Sequence, residues 1–416
     1  MSEKSRVIRE CERFNKARKV CYGKITYSVF LQNVKGNLLI SGFDASNEEF
    51  ITDLACNYFQ RDNIPTILLS SHINVLRSIQ ERQNAGLINQ IMISCPTSCN
   101  YHPFYGMSKQ QILKITQLTM TDMGFGSQTD NVLVYASALM DIVSTKYPLS
   151  LPAITQLLQN DDDHIVEFAI QSGFSNIIAD NIRGNHEAGI VFRRVCEELE
   201  EVFEGVYQPG SDTKYNFQSG VLGNVSMAFN PVTCNQKIMN TYLKEELYSV
   251  LKRVPKIRLI MDEIGFTDEN DELLKAIFDY KRQGKIELIF LSVNAQEALY
   301  NIELDFANII MFKHSMQITT EEVSGKMFGT YQYHYPAPTV GRPPALVVTF
   351  KKDIHWHIAT EERLRVRDAD LYSNPTLFGK ESNYLAIKIA NNSEVYLVDE
   401  REFFMEQKDK LLPGVF

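Results

Sequence analysis

The chain has 416 residues, enough at about 150 per domain for two or three domains, and its 44% apolar and 22% charged composition excludes wholesale disorder. A net charge of −9 excludes a surface given over entirely to nucleic acid, while leaving room for a local basic pore. The opening residues are charged and lack the apolar centre of a signal peptide, and no apolar run nears the roughly 18 residues of a membrane span, so the expectation is a soluble, cytoplasmic protein.

Residues 1–23 carry seven basic residues (Lys4, Arg6, Arg9, Arg13, Lys16, Arg18, Lys19) against three Glu, and read as a basic, partly helical arm. Its positive charge suits either a solvated helix face or a nucleic-acid contact. From residue 37 the period changes. NLLISG (37–42), IPTILLSS (64–71) and INQIMIS (88–94) are short apolar runs of the kind buried in parallel sheets. Between them, EEFITDLACNYFQRD and VLRSIQERQNAG have helical spacing, the second closing on Gly86. Strand alternating with helix predicts an α/β parallel sheet.

Residues 108–205 read instead as a run of helices, with Ser108 as an N-cap and Pro152 in a first turn. The α/β pattern then resumes with NVSMAFNP (224–231), a long amphipathic helix (234–254), KIRLIMDEI (256–264), the helix NDELLKAIFDYKRQG, KIELIFLSVN (285–294), AQEALYN as helix, ANIIMFKH (307–314), and a helix at 318–329. The aromatic- and Pro-rich stretch YQYHYPAPTVGRPP reads as a non-helical connector. It leads to strand candidates at 345–350, 354–358, 384–389 and 394–398. The predicted organisation is an N-terminal arm (1–23), an α/β core (24–107 and 206–330), a helical insertion (108–205) and a small β-containing C-terminal region (331–416).

Seven cysteines in a chain this long read as reduced thiols. Cys95, Cys99 and His102 have ligand-like spacing but no fourth partner, so inert thiols are the preferred reading. His355 and His357 alternate on a strand and read either as a metal pair or as a surface pair. Tyr331, Tyr333 and Tyr335 also share one face, suited to stacking bases or to packing on the α/β core.

A strand ending in Ser-Gly before a helix is where a phosphate-binding loop lies. Its template G-x-x-x-x-G-K-S/T uses glycine backbone to cradle phosphates, Lys to neutralise them and a hydroxyl to ligate Mg²⁺. Here the eight residues run from Gly42 through Phe43, Asp44, Ala45, Ser46, Asn47 and Glu48 to Glu49. The first Gly is kept, and Asn47, Glu48 and Glu49 replace the second Gly, the Lys and the hydroxyl residue. The candidate cofactor-binding positions of this degenerate loop are Gly42, Asp44, Ser46, Asn47, Glu48 and Glu49. The partner motif reads as intact: RLIMDEI ends in Asp262, suited to holding Mg²⁺, and Glu263, suited to polarising a water.

Together NLLISG, IPTILLSS, YHPFYGMS (101–108), the helical insertion, IRLIMDEI and FDYKRQGKIELIFLSVN resemble the FtsK/HerA-type translocases, most nearly the TraG-type coupling ATPases of conjugation and type IV secretion. The resemblance covers about residues 24–330. It implies a RecA-like P-loop core, hexameric rings, and ATP-driven movement of DNA or protein. It also implies a Gln sensor after the strand Ser, where this chain has Val293 and Asn294. Arg282, before a Gly and the sensor strand, corresponds either to a subunit-bridging arginine or to an ordinary helix-end arginine.

A carboxylate 4 Å from a phosphate oxygen is repelled by about 4 kcal/mol at an effective dielectric near 20. The expectation is therefore a degenerate ATPase serving as a structural or regulatory subunit, in a ring of its own or beside an active translocase, with peripheral contact to a membrane complex. Two alternatives stand: an active ATPase with a rearranged site, using ATP and Mg²⁺ through Asp262 and Glu263, and a non-motor DNA-binding adaptor.

Overall fold

The computed structural model describes residues 2–15, 20–23, 25–42, 47–208, 215–218, 226–233, 235–262, 271–293, 306–314, 317–340, 354–371, 383–390 and 394–404. The strands among them are β1 (Val20–Tyr22), β2 (Leu38–Ser41), β3 (Thr66–Ser70), β4 (Met92–Ser94), β5 (Met227–Phe229), β6 (Ile257–Asp262), β7 (Ile286–Ser292), β8 (Asn308–Met311), β9 (Thr330–Val340), β10 (Ile354–Leu364), β11 (Tyr384–Lys388) and β12 (Val395–Asp399). Packing divides the chain into two units, one of Ser46–Leu291 and one of Met1–Ala45 with Ser292–Phe416.

In the unit of residues 46–291 the strand order is β7-β6-β3-β5-β4, every pair parallel. β3 and β6 are buried at every position, which is why they read as near-continuous apolar runs rather than as alternating ones, with the buried Arg258 the interruption within β6. Each parallel step requires a crossover, and helix Ile73–Asn84 lies between β3 and β4 in sequence as one such connection. The stretch between β4 and β5 holds the helices predicted for the insertion, from Lys109–Asp122 to His186–Val202. Ser108 opens the first of them with a capping box closed by Gln111, and Ser150 caps the helix that carries Pro152 in its first turn.

In the other unit the order is β1-β12-β11-β8-β2, with β8 parallel to β2, β1 parallel to β12, and β11 antiparallel to both its neighbours. The strands predicted near 384–389 and 394–398 thus join the sheet that contains β2. The candidate at 345–350 lies outside the described residues. β9 and β10 pair separately as an antiparallel ribbon over eleven residues each.

β9 occupies the stretch expected to be a connector. Its Pro336 and Pro338 cannot donate to a ladder, but a two-stranded ribbon uses the N–H of only every second residue. Both prolines have the parity of His334, whose outward N–H and C=O are taken instead by the Asn15 side chain, at 2.8 Å each. Strand and proline are therefore compatible. The same pairing docks helix Glu3–Asn15, with Val7 and Cys11 buried, so the N-terminal segment packs on the ribbon along one side.

Candidate functional site

Gly42 directly follows β2 with φ +120°, a conformation that favours glycine, and a Cβ there would lie 2.7 Å from the Phe312 carbonyl oxygen. Its N–H donates to the Ser292 carbonyl at 3.1 Å, while Phe312 N–H donates to the Ser41 carbonyl at 2.7 Å. Close backbone approach alone demands glycine at this position, whatever the loop binds. Asp44 and Ser46 lie outside the described residues, as do Glu263 and Asn294.

Helix Glu48–Arg61 begins where a phosphate cradle would, and its N-terminus is filled by its own residues. Asn47 is the N-cap, its Oδ1 accepting from Glu49 N–H at 3.0 Å and Phe50 N–H at 3.2 Å. Glu48 and Glu49 occupy the first turn, where a carboxylate gains about 0.3–1 kcal/mol from the helix dipole. Glu48 Oε1 accepts from Asn74 Nδ2 at 3.1 Å, which ties this helix start to the first turn of helix Ile73–Asn84. A capping amide and two carboxylates thus take the N–H groups and the positive potential that an incoming phosphate would use.

Asp262 closes β6, fully buried, opposite Ser70 of β3 and Leu291 of β7 in the strand registers. Its Oδ2 accepts from Ser70 Oγ at 2.5 Å and lies 2.9 Å from His72 Nδ1, and Ser70 Oγ also accepts from His72 N–H at 3.1 Å. Its Oδ1 is buried without a hydrogen-bond partner among the described residues. In the unit of residues 46–291, then, the start of one helix (Asn47, Glu48, Glu49), the N-cap region of the next (His72, Asn74) and two strand ends (Ser70, Asp262) form linked polar contacts. Ser70, His72 and Asn74 were not among the sequence candidates. Their signal was the polar run that follows the apolar strand 64–69, at the carboxyl end where α/β sheets place their ligands.

Arg282 is in the last turn of helix Asp271–Arg282, half-exposed, its Nη1 3.1 Å from Asp279 Oδ1, the placement of a helix-end arginine with an i,i+3 partner. Among the described residues no group of three or more His, Cys, Asp or Glu side chains could hold a metal ion. Cys95 is buried and Cys99 half-buried, both as free thiols, and His357 Nδ1 lies 2.9 Å from Thr339 Oγ. The positions that the phosphate-loop template gives to a glycine, a lysine and a hydroxyl are held by Asn47, Glu48 and Glu49, while residues 43–46 of the loop lie outside the described residues.

No family model and no curated protein matches the sequence. Solved structures do match it. The bacterial conjugative coupling protein TrwBdeltaN70, in its unbound monoclinic form, superposes with a TM-score of 0.51 at 10% identity, over 93% of this chain and 90% of that one. The plasmid coupling protein TrwB in complex with ADP and Mg²⁺ gives 0.47 at 11% identity, over 93% and 91%. VirB4 of Thermoanaerobacter pseudethanolicus gives 0.39 at 10% identity, over 70% and 80%. The first of these establishes the fold: the chain has the mixed α/β, RecA-like architecture of a conjugative coupling protein, as its motif order implied. No helix among the described residues is long and apolar enough to cross a membrane.

Proposed function

We propose that this chain is a translocase-fold subunit of a conjugative DNA-transfer or type IV secretion-type system whose nucleotide site is degenerate, and that it acts structurally or as a regulator. The observation that carries this reading is the occupied helix start. Asn47 caps it, Glu48 and Glu49 place two carboxylates in it, and Asn74 holds Glu48 in place. Two like charges near a triphosphate each cost about 4 kcal/mol at 4 Å, whereas the usual lysine would attract. In this reading the chain works in a ring or beside an active translocase, in the cytoplasm and peripheral to a membrane complex.

A second reading has one observation in its favour. Asp262 keeps a buried, unpartnered carboxylate oxygen at a strand end, and a divalent cation is a natural partner for such an atom. Under that reading Asp262 holds Mg²⁺ and Glu263 activates water, with a cation supplied from another subunit.

Nucleotide binding measured by calorimetry with and without Mg²⁺ separates the two. The degenerate site predicts no binding by wild-type protein, and measurable Mg²⁺-dependent ATP binding once Asn47→Gly, Glu48→Lys and Glu49→Thr are combined. Wild-type ATP turnover that Glu263→Gln abolishes would overturn the proposal.

A further inference from the structure

The ribbon of β9 and β10 has two unlike faces. One face meets helix Glu3–Asn15: Lys4 Nζ lies 4.7 Å from the Trp356 ring centre, and the Phe14 and His334 rings are 4.9 Å apart. The alternation of a strand puts Tyr331, Tyr333 and Tyr335 on the other face. Their rings are neighbours, Tyr331 and Tyr333 at 6.4 Å edge to face, and Tyr333 and Tyr335 at 6.5 Å and within 15° of parallel. None of the three is buried, and Tyr335 is 36% exposed. Arg363, directly across from Tyr331, lays its guanidinium carbon 3.6 Å from the Tyr333 ring centre and is ion-paired to Glu361 on the same face.

We propose that this tyrosine face is a stacking platform for single-stranded nucleic acid. Tyr333 and Tyr335, near-parallel, offer two aromatic surfaces in a row with Tyr331 standing edge-on beside them, and every base has a face that can stack. The strand sets the spacing: two residues advance about 6.6 Å, close to twice the roughly 3.4 Å rise between stacked bases. Arg363 covers one face of Tyr333 with a planar cation of the kind that stacks on aromatic rings, which leaves the other face of Tyr333 and the exposed Tyr335 for bases. Its pairing to Glu361 holds the guanidinium in place and leaves the strip close to neutral. Stacking, not phosphate charge, therefore supplies the affinity, which a chain of net charge −9 can accommodate. The docked N-terminal helix holds the outer edge of β9 through Asn15. The proposal does not depend on the state of the nucleotide site.

The test is fluorescence anisotropy on the full chain without nucleotide, using a labelled oligothymidylate of about 20 nucleotides, the same length of duplex DNA, and a proline-rich peptide. Single strands should bind, duplex and peptide should bind more weakly, and affinity should depend only weakly on salt. Tyr335→Ala and Tyr333→Ala should each weaken single-strand binding about 5-fold or more, the range of one lost base stack, while Tyr333→Phe retains it. Circular dichroism melting checks that the variants fold, and the exposed Tyr335 keeps the test open if Tyr333→Ala does not. Single-strand binding unaffected by either alanine variant would overturn the proposal. So would no binding, or a preference for duplex or for the peptide. Because no nucleotide is present, none of these outcomes bears on the degenerate-site reading.

Discussion

His314 is 2% exposed, its Nε2 2.8 Å from Ser41 Oγ, with Nδ1 buried and without a partner among the described residues. Burial pushes its pKa down from 6.5 to about 4. Between those values the unfolded chain takes up a proton that the folded chain refuses, so this residue's contribution to stability is complete above about pH 6.5 and is lost as the pH falls toward 4. From pH 7 to pH 5 the expected loss is about 2 kcal/mol, read as a fall in the urea midpoint. His314→Gln keeps a group that can pair with Ser41 but does not titrate, so its pH curve should be flatter by that amount. Parallel curves for the two proteins would show that the histidine is not what senses pH.

At the scale of elements, one buried cation joins a helix to two strands. Arg258 of β6, 2% exposed, donates from Nε to Glu287 of β7 at 2.8 Å and from Nη1 and Nη2 to Asp62, just past helix Glu48–Arg61, at 3.0 and 2.7 Å. It also donates to the Tyr58 carbonyl and lies 4.9 Å from the Tyr58 ring centre. Burial would raise the Glu287 carboxyl, yet hydrogen bonds and charge from Lys256 and Arg258 hold it below its ordinary value. Arg258→Met leaves Glu287 buried with Lys256 alone, and should cost about 3–5 kcal/mol in chemical denaturation. Adding Glu287→Gln removes the orphaned charge and should recover part of that loss. A double variant as unstable as the single one would mean that packing, not charge, dominates here.

At the scale of the molecule, the proposed role as a ring subunit carries an assembly expectation. Single-particle microscopy of the purified chain, alone or mixed with an active coupling ATPase, should show particles with six-fold symmetry. A strictly monomeric chain under both conditions would count against a ring subunit and leave the fold untouched. The order of strands and helices that leads to this expectation was legible in the sequence, because parallel strands buried on both faces are near-continuous apolar runs and the helices between them repeat at 3.6 residues. β3, β6 and β7 and the helices of the insertion all appear where those patterns put them. The strand end at Asp262 and the replaced loop positions Asn47, Glu48 and Glu49 could be read in the same way, since a motif with fixed spacing shows its departures residue by residue. Contacts between distant positions could not be read. Ser70 and His72 reach Asp262 from about 190 residues away, Asn15 reaches His334 from 319, and Ser41 meets His314 from 273. β9 was misread because its prolines argue against a strand unless the outward parity of a two-stranded ribbon is known, and only the pairing with β10 and the docking of Asn15 supply that parity. Local pattern determined which elements form and where the loop departs from the phosphate-binding template, since propensity and motif spacing act over a few residues. Tertiary structure alone decided what fills the helix start and what Asp262 is bound to, since those partners become neighbours only when the sheet brings strand ends together.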